Sequence, residues 1–373
     1  MKPIEDIIEL RRQLHCHPGT SVNEEFAHNT IVAFLRELHP DELVANVGGY
    51  GVVALWKSKI STFNSQLSTP KTIAFRADID ALPIGHRCGH DGHTAIMLRF
   101  AEIVSQSELK YNVVLIFQPE EETGKGARKI VESGLLQKYG VCAVFGLHNL
   151  PGVAEGTVLL NAGTFAAASM GVIYKLIGRS THASTPEKGL NPGRAAAAII
   201  ERIDGLNNNT DSAQNNILTF KQTTLICCRV GEEAFGTSAG IGEVMFTLRA
   251  FTNDSMQELV SAADRIAMQE ADRWHLELER QEREPFRATE NTPSLVEQLK
   301  TVFAPQIEVE TTSQPMRWSE DFAEYLHSFP GAFFGLGSGE KQPELHNPAY
   351  VFPDSLIEKG ARCFELIMKN IKI

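Results

Sequence analysis

Along the first half of the chain, short apolar runs alternate with stretches in which apolar residues recur every three or four positions. The runs are "GVVALW" (51–56), "TIAF" (72–75), "VVLIF" (113–117) and "VCAVFGL" (141–147). Each is too short for a globular helix. The last three, rich in Val, Ile and Phe and nearly free of polar residues, predict strands buried on both faces. Helical spacing holds Ile4, Ile7, Ile8 and Leu14 together over 4–14, interrupted by the basic pair Arg11-Arg12. Further helices are expected over 24–38, 94–104 and 127–136. Strand, helix, strand, helix predicts an α/β fold built on a mainly parallel sheet flanked by helices.

The pattern changes at about Thr164. "MGVIYKLIG" (170–178), "NNILTFKQTTLICC" (215–228), "GEVMFTLRAF" (242–251) and "HLELERQ" (275–281) alternate in period two, as antiparallel strands with one solvated face do. Between them, 191–206 and 255–274 read as helices. Residues 165–284 are therefore expected to form an inserted α+β domain, with 1–164 and 285–373 forming the first domain. A polar loop is expected at "NSQLSTPK" (64–71), and there is no internal repeat.

Composition narrows the function classes. A chain of 373 residues suits two domains. Its 35 basic residues against 46 acidic ones leave a net charge of −11, which argues against nucleic acid as a partner. No apolar run reaches the roughly 18 residues of a membrane span, and the charged start "MKPIEDIIELRRQLH" lacks a signal core, so a cytoplasmic location and no membrane partner are expected. Six scattered cysteines read as thiols, any special one being a ligand or nucleophile.

The chemistry gathers where the apolar runs stop. "TIAF" is followed by Arg-Ala-Asp-Ile-Asp, "VVLIF" by Gln-Pro-Glu-Glu-Glu, "VCAVFGL" by His148, and "GAFFGLG" (331–337) by "ELHNP" with His346. Ligands of an open parallel sheet sit at the carboxyl ends of its strands, so four strands send Asp, Glu and His to one edge. Just ahead of the 94–104 helix lie Cys88 and His90, a C-x-H pair whose donors suit zinc. Taken alone, Cys88 reads as a buried thiol and His90 as a helix-terminal cap; the convergence reverses that reading. Three consecutive carboxylates, Glu120 to Glu122, repel one another unless a cation compensates them. Two adjacent glutamates also suit two tasks, one binding metal and the other taking a proton. For Glu120 alone a solvated turn is the ordinary reading. His93 reads as a packing or orienting residue, Asp80 as an orienter of a ligand histidine, and Asp91 as either an orienter or a helix cap.

These stretches resemble the two-metal amidohydrolases related to aminoacylase, in the branch with hippurate hydrolase and the indole-acetyl-amino-acid hydrolases. The matching segments run in order over nearly the whole chain: "RRQLHCHPGTSVNEE", "RADIDALP", "CGHDGHTA", "FQPEEETGKGA", "GLHNLP", "GRSTHASTPEKGLNP", "SEDFAEYL" and "LHNPAYVFPD". The resemblance implies a zinc-peptidase-like catalytic domain and a ferredoxin-like lid domain that dimerises. It implies metal ligands at Cys88, His90, Glu122, His148 and His346, with Glu121 as general base. Two divalent ions per chain are implied, zinc first, with manganese, cobalt or nickel as alternatives. It further implies that His182 donates to the oxyanion in the site of a dimer partner, and that the substrate is a small N-acyl amino acid. Arg249 and Asn191 are candidate contacts for a free carboxylate, Arg249 reading equally as a surface strand charge. Two departures stand out. Only Ile84–Arg87 remains of a loop that is longer in relatives, so one wall of the pocket is expected to be trimmed. The lid stretch Ala234–Val244 replaces an Asn-Val-Ile-Pro segment, so that asparagine's substrate contact does not carry over.

The leading expectation is thus a metal-dependent amidase on N-acyl amino acids. A dipeptidase or aminopeptidase on the same site, and a metal-stabilised binding protein without turnover, remain alternatives; an intact Glu121 argues against the latter. A cysteine hydrolase using Cys88 and His90 leaves the acidic cluster unexplained.

Overall fold

The computed structural model describes residues 1–59, 70–208 and 219–373. Most of the 64–71 loop and the first residues of the 215–228 strand lie outside the described residues. The chain parts into two compact units, one comprising 1–165, 289–314 and 321–373, the other 166–288 and 315–320. In chain order the first unit begins with α1 (Ile4–Cys16), α2 (Glu25–Glu37), β1 (Glu42–Val47), β2 (Gly51–Trp56), β3 (Thr72–Asp78), α3 (His90–Ser105), β4 (Asn112–Gln118), α4 (Gly126–Glu132), α5 (Leu135–Lys138), β5 (Val141–Pro151) and β6 (Val158–Leu160). The second unit holds β7 (Ala168–Ile177), α6 (Gly193–Asp204), β8 (Lys221–Val230), β9 (Ile241–Ala250), α7 (Asn253–Arg273) and β10 (Glu277–Phe286). The chain then returns through α8 (Pro293–Phe303), β11 (Val309–Thr311), α9 (Ala323–Ser328), β12 (Gly331–Gly339) and α10 (Leu356–Asn370).

The first unit is a mixed sheet in the order β1-β2-β4-β3-β5-β12-β6-β11. Its centre, β4-β3-β5-β12, is parallel throughout. At one side β1 and β2 run antiparallel, and β6 runs antiparallel to β12. Alternate residues of β3 leave on opposite faces. Phe75 packs edge-on against Phe100 of α3 (4.8 Å) and Phe364 of α10 (5.2 Å), whereas Arg76 meets Asp321 and Phe322, just ahead of α9. Helices therefore cover both faces, and β3 is buried along its whole length.

Where one helix was expected over 127–136 there are two. Gly134 takes φ +73° between them, a left-handed turn that ends α4 and starts α5. The helix expected from Thr94 begins four residues earlier, so His90 and His93 are helical and only Cys88 belongs to the preceding loop. Likewise β5 runs on to Pro151, placing His148 within the strand and not after it.

The second unit is antiparallel, in the order β8-β9-β7-β10. Its strand and helix sequence, βαββαβ, is the ferredoxin-like arrangement. Val172, Tyr174 and Leu176 of β7 and Val244, Phe246 and Leu248 of β9 join α6 and α7 in one core. The intervening Ile173, Lys175, Met245 and Thr247 are half-buried, in the expected period of two. Among the described residues no helix is long and apolar enough to cross a membrane.

Candidate metal centre

The parallel centre of the first sheet brings its strand ends together as the sequence indicated. Cys88 Sγ lies 3.7 Å from His148 Nε2 and 3.5 Å from His346 Nε2. His90 Nε2 lies 3.9 Å from Glu122 Oε1 and 4.0 Å from Glu121 Oε2. Donors bound to one ion at about 2.0–2.3 Å stand no more than about 4.6 Å apart, so these separations suit shared coordination. Among the described residues five groups of three close donors are found; two of them, Cys88–His90–His148 and Cys88–Glu122–His346, consist wholly of the expected ligands and share Cys88.

The histidines are presented for ligation. His90 Nδ1 lies 3.0 Å from the Asp80 carbonyl and His148 Nδ1 2.9 Å from the Asn149 carbonyl. A carbonyl only accepts, so each Nδ1 carries a proton and each Nε2 is the nitrogen left to face a ligand. His90 Nε2 and Glu122 Oε1 are buried and have no hydrogen-bond partner. Orphaned polar atoms aimed at one another in an interior are costly unless a ligand satisfies them, and a metal pair does. The donor set fits.

Electrostatics say the same. Burial pushes the Cys88 thiol up to about 12 and, against the pull of His90, pushes Glu122 up to about 7. Burial also lowers His148 and His346. A cation bound there would favour the charged forms of the thiol and the carboxylate.

Around the donors lies a layer whose chemistry the sequence pattern leaves largely unassigned. Asp80 does orient His90, but through its backbone carbonyl. Its carboxylate is spent otherwise, accepting from Ser21 Oγ at 2.7 Å and from the backbone N–H groups of Glu121 and Glu122 at 3.1 Å each. Asp78 accepts from His93 Nδ1 at 2.6 Å and from Arg76 at 2.7 Å. Burial opposes its charge, but His90, His93 and Arg76 outweigh that and hold it well below the usual carboxylate range. His93 is tied into this layer at both nitrogens, its Nε2 accepting from Asn149 N at 3.3 Å. The wholly buried Arg76 also binds Gln118 and Asp321, and Asp321 takes two further bonds from Gln118 and one from Ala127 N. One signal for this network is present in the sequence: an arginine directly after an apolar strand run.

Two expectations are corrected. Asp91 makes no cap to α3; it is buried and anchors α1, accepting from Arg11 at 2.7 Å and lying 2.9 Å from His15 Nδ1. Glu120 is not a solvated turn residue; it is buried at φ +55° and paired with Lys129. The shortened 84–87 loop closes as a tight turn, with Gly85 N donating to the Leu82 carbonyl at 2.8 Å.

His182, Asn191 and Arg249 belong to the second unit. His182 is exposed on a two-residue strand paired with Thr237–Ser238. Its Nδ1 accepts from Ser184 N at 3.1 Å, which leaves the proton on Nε2. Asn191 Oδ1 accepts from Gly193 N at 2.8 Å at the start of α6. Arg249 is no free surface charge; it is half-buried and donates to the Arg317 carbonyl at 2.9 Å and to Ser319 Oγ at 3.1 Å.

Comparison with known proteins accords with this geometry. An uncharacterized hydrolase of Staphylococcus haemolyticus is 30% identical over 99% of both chains. The N-acetylcysteine deacetylase of Bacillus subtilis is 28% identical over 98% of each. Among solved structures, a dinuclear metal-binding peptidase from family M20 of Bacillus subtilis superposes with TM-score 0.81 at 26% identity, covering 99% of each chain. A proposed aminohydrolase of methicillin-resistant Staphylococcus aureus gives TM-score 0.86 at 25% identity, covering 99% of this chain and 97% of its own. Residues 74–370 match the family model described as Peptidase family M20/M25/M40. The chain therefore belongs to that family and is a metal-dependent hydrolase with donors for two ions.

Proposed function

We propose that the protein hydrolyses the amide bond of N-acyl amino acids, releasing a carboxylic acid and a free amino acid. The observation that carries the proposal is the meeting of Cys88, His90, Glu122, His148 and His346 at one sheet edge, with Glu121 beside them. The N-acetylcysteine deacetylase among its relatives supports the substrate class. In this reading those five residues hold two divalent ions, zinc first. When bound, the ions supply Lewis acidity and a water that ionises near neutral pH. Glu121 takes the proton of the attacking water as it adds to the amide carbon, then delivers it to the nitrogen as the C–N bond breaks. Asp80 holds the backbone of that glutamate, so the base is placed before substrate arrives.

The second unit serves as lid and dimerisation domain of a cytoplasmic homodimer in this proposal. His182, its proton on Nε2, is the donor to the oxyanion in the partner's site. Arg249 and Asn191 are the candidate contacts for the free carboxylate, though both side chains already have partners within their unit. The test is a panel of N-acetyl, N-benzoyl and N-indolylacetyl amino acids, their carboxamides and simple dipeptides. After chelation, zinc, manganese, cobalt or nickel is restored singly. Cleavage of N-acyl amino acids ahead of the dipeptides and carboxamides is the expected result. Preference for dipeptides overturns the substrate assignment, and equal rates on acids and carboxamides remove the carboxylate contact.

A further inference from the structure

The turn that carries the two working glutamates is held by acids from elsewhere in the chain. Its three consecutive backbone N–H groups each donate to a carboxylate oxygen. Glu121 N and Glu122 N donate to the two oxygens of Asp80 at 3.1 Å each, and Glu120 N donates to Glu24 Oε1 at 3.0 Å. Glu24 reaches this point through the Gly19–Glu24 segment, which is fastened to the end of β3. Thr20 bridges Ala81, Ala81 N donates to the Gly19 carbonyl at 2.8 Å, and Ser21 Oγ donates to Asp80. Both Ser21 and Glu24 precede the 74–370 stretch that matches the family model.

Glu24 is an expensive residue to keep there. It is fully buried, its Oε2 has no hydrogen-bond partner, and Asp80 lies close enough to disfavour its charge. A leucine of similar size avoids those costs, so the acceptor must be what the position is for. The peptide it holds is a strained one. Glu120 sits at φ +55°, a left-handed conformation that a non-glycine residue adopts only at a cost. Released from Glu24, that peptide has reason to relax, and the next two residues move with it.

We infer that Glu24 is a positioning residue: by accepting from Glu120 N it holds the turn in the form that presents Glu121 and Glu122 to the metal site. This rests on the roles proposed for those two glutamates. The test compares Glu24→Leu, which keeps volume but loses the acceptor, with Glu24→Gln, which keeps an oxygen for Glu120 N. The readout is Zn²⁺ affinity of the full chain, titrated against a chromophoric chelator, beside the melting temperature of the metal-free protein. Loss of a residue that supports a ligand typically costs about 10–100-fold in metal affinity, and Glu24→Leu is expected in that range. Glu24→Gln is expected within about threefold of the parent on the same scale, and neither variant's affinity should track its melting temperature. The inference is overturned if Glu24→Leu binds zinc like the parent, if Glu24→Gln loses as much, or if affinity merely follows stability. Should the leucine variant not fold, Glu24→Met takes its place under the same outcomes. Zinc affinity is read without substrate, so a parent protein that binds zinc but cleaves no N-acyl amino acid counts against the proposed function and leaves this result to be judged alone.

Discussion

Replacing Asp80 by Asn tests whether the layer behind the donors does the positioning assigned to it. The carboxylate accepts three hydrogen bonds on two oxygens, from Ser21 Oγ, Glu121 N and Glu122 N. Asparagine keeps one oxygen and turns an NH₂ towards the other donor, so one buried N–H faces a second donor in place of an acceptor. A hydrogen bond to a charged group contributes about 1.5–3 kcal/mol, and leaving a buried donor unsatisfied costs about 1–3 kcal/mol. Relaxation of the turn recovers part of that, leaving a penalty of about 2–3 kcal/mol on the metal-competent geometry. At 1.4 kcal/mol per decade this is about a 30–150-fold loss of metal affinity. Competition titration with a chromophoric chelator measures it, while far-UV circular dichroism of the metal-free variant reports whether the fold survives. Ser21→Ala, which removes only the third bond and leaves both backbone donors paired, should cost less than Asp80→Asn. Asp80→Asn protein that binds metal within about twofold of the parent would refute the clamp, since the argued magnitude is about thirtyfold or more.

The glutamate pair divides by variant. Glu121→Gln should retain metal yet lose about 10²–10⁴ in turnover, whereas Glu122→Gln should lose metal as well; near-normal turnover in the first removes its role as base. Cys88→Ser should weaken metal binding sharply, because Cys88 is common to both donor triads and a hydroxyl does not replace a thiolate; an unaltered metal content contradicts that. His182→Ala should cut turnover about 10²–10³-fold with metal content unchanged. Mixing it with Glu121→Gln chains should recover activity through mixed dimers, and proven subunit exchange without recovery rules out action on a partner's site.

How much of this is legible in the sequence follows from how each feature is encoded. Buried parallel strands announce themselves as apolar runs, so the pattern of residues alone places β3, β4, β5 and β12, although the donor His148 lies inside β5 and not beyond its end. The short strand β11, whose residues are half-buried or exposed, carries no such pattern. Helix starts are less legible: α3 opens at His90 on a left-handed Gly89, with no side-chain cap to mark it. The ligand set is readable because its residue types are chemically distinctive. The supporting layer is not, because Arg76, Gln118, Asp321 and Glu24 are ordinary polar residues whose meaning lies in contacts up to 245 positions apart in sequence. Asp80 shows the limit most clearly, since a backbone carbonyl orients the histidine and the side chain clamps the glutamates.

That Cys88, His90, Glu122, His148 and His346 hold a metal pair is tested most directly by counting metal in the purified protein. Elemental analysis of protein loaded with zinc and freed of excess should find close to two ions per chain. The same analysis on Cys88→Ser, and on a Glu122→Gln, His346→Ala double variant, should find that stoichiometry reduced. Turnover should vanish with a strong chelator and return when zinc is restored. Full activity in protein shown to carry no metal, or an unchanged two-ion stoichiometry in both variants, would contradict the assignment of this cluster as the metal centre.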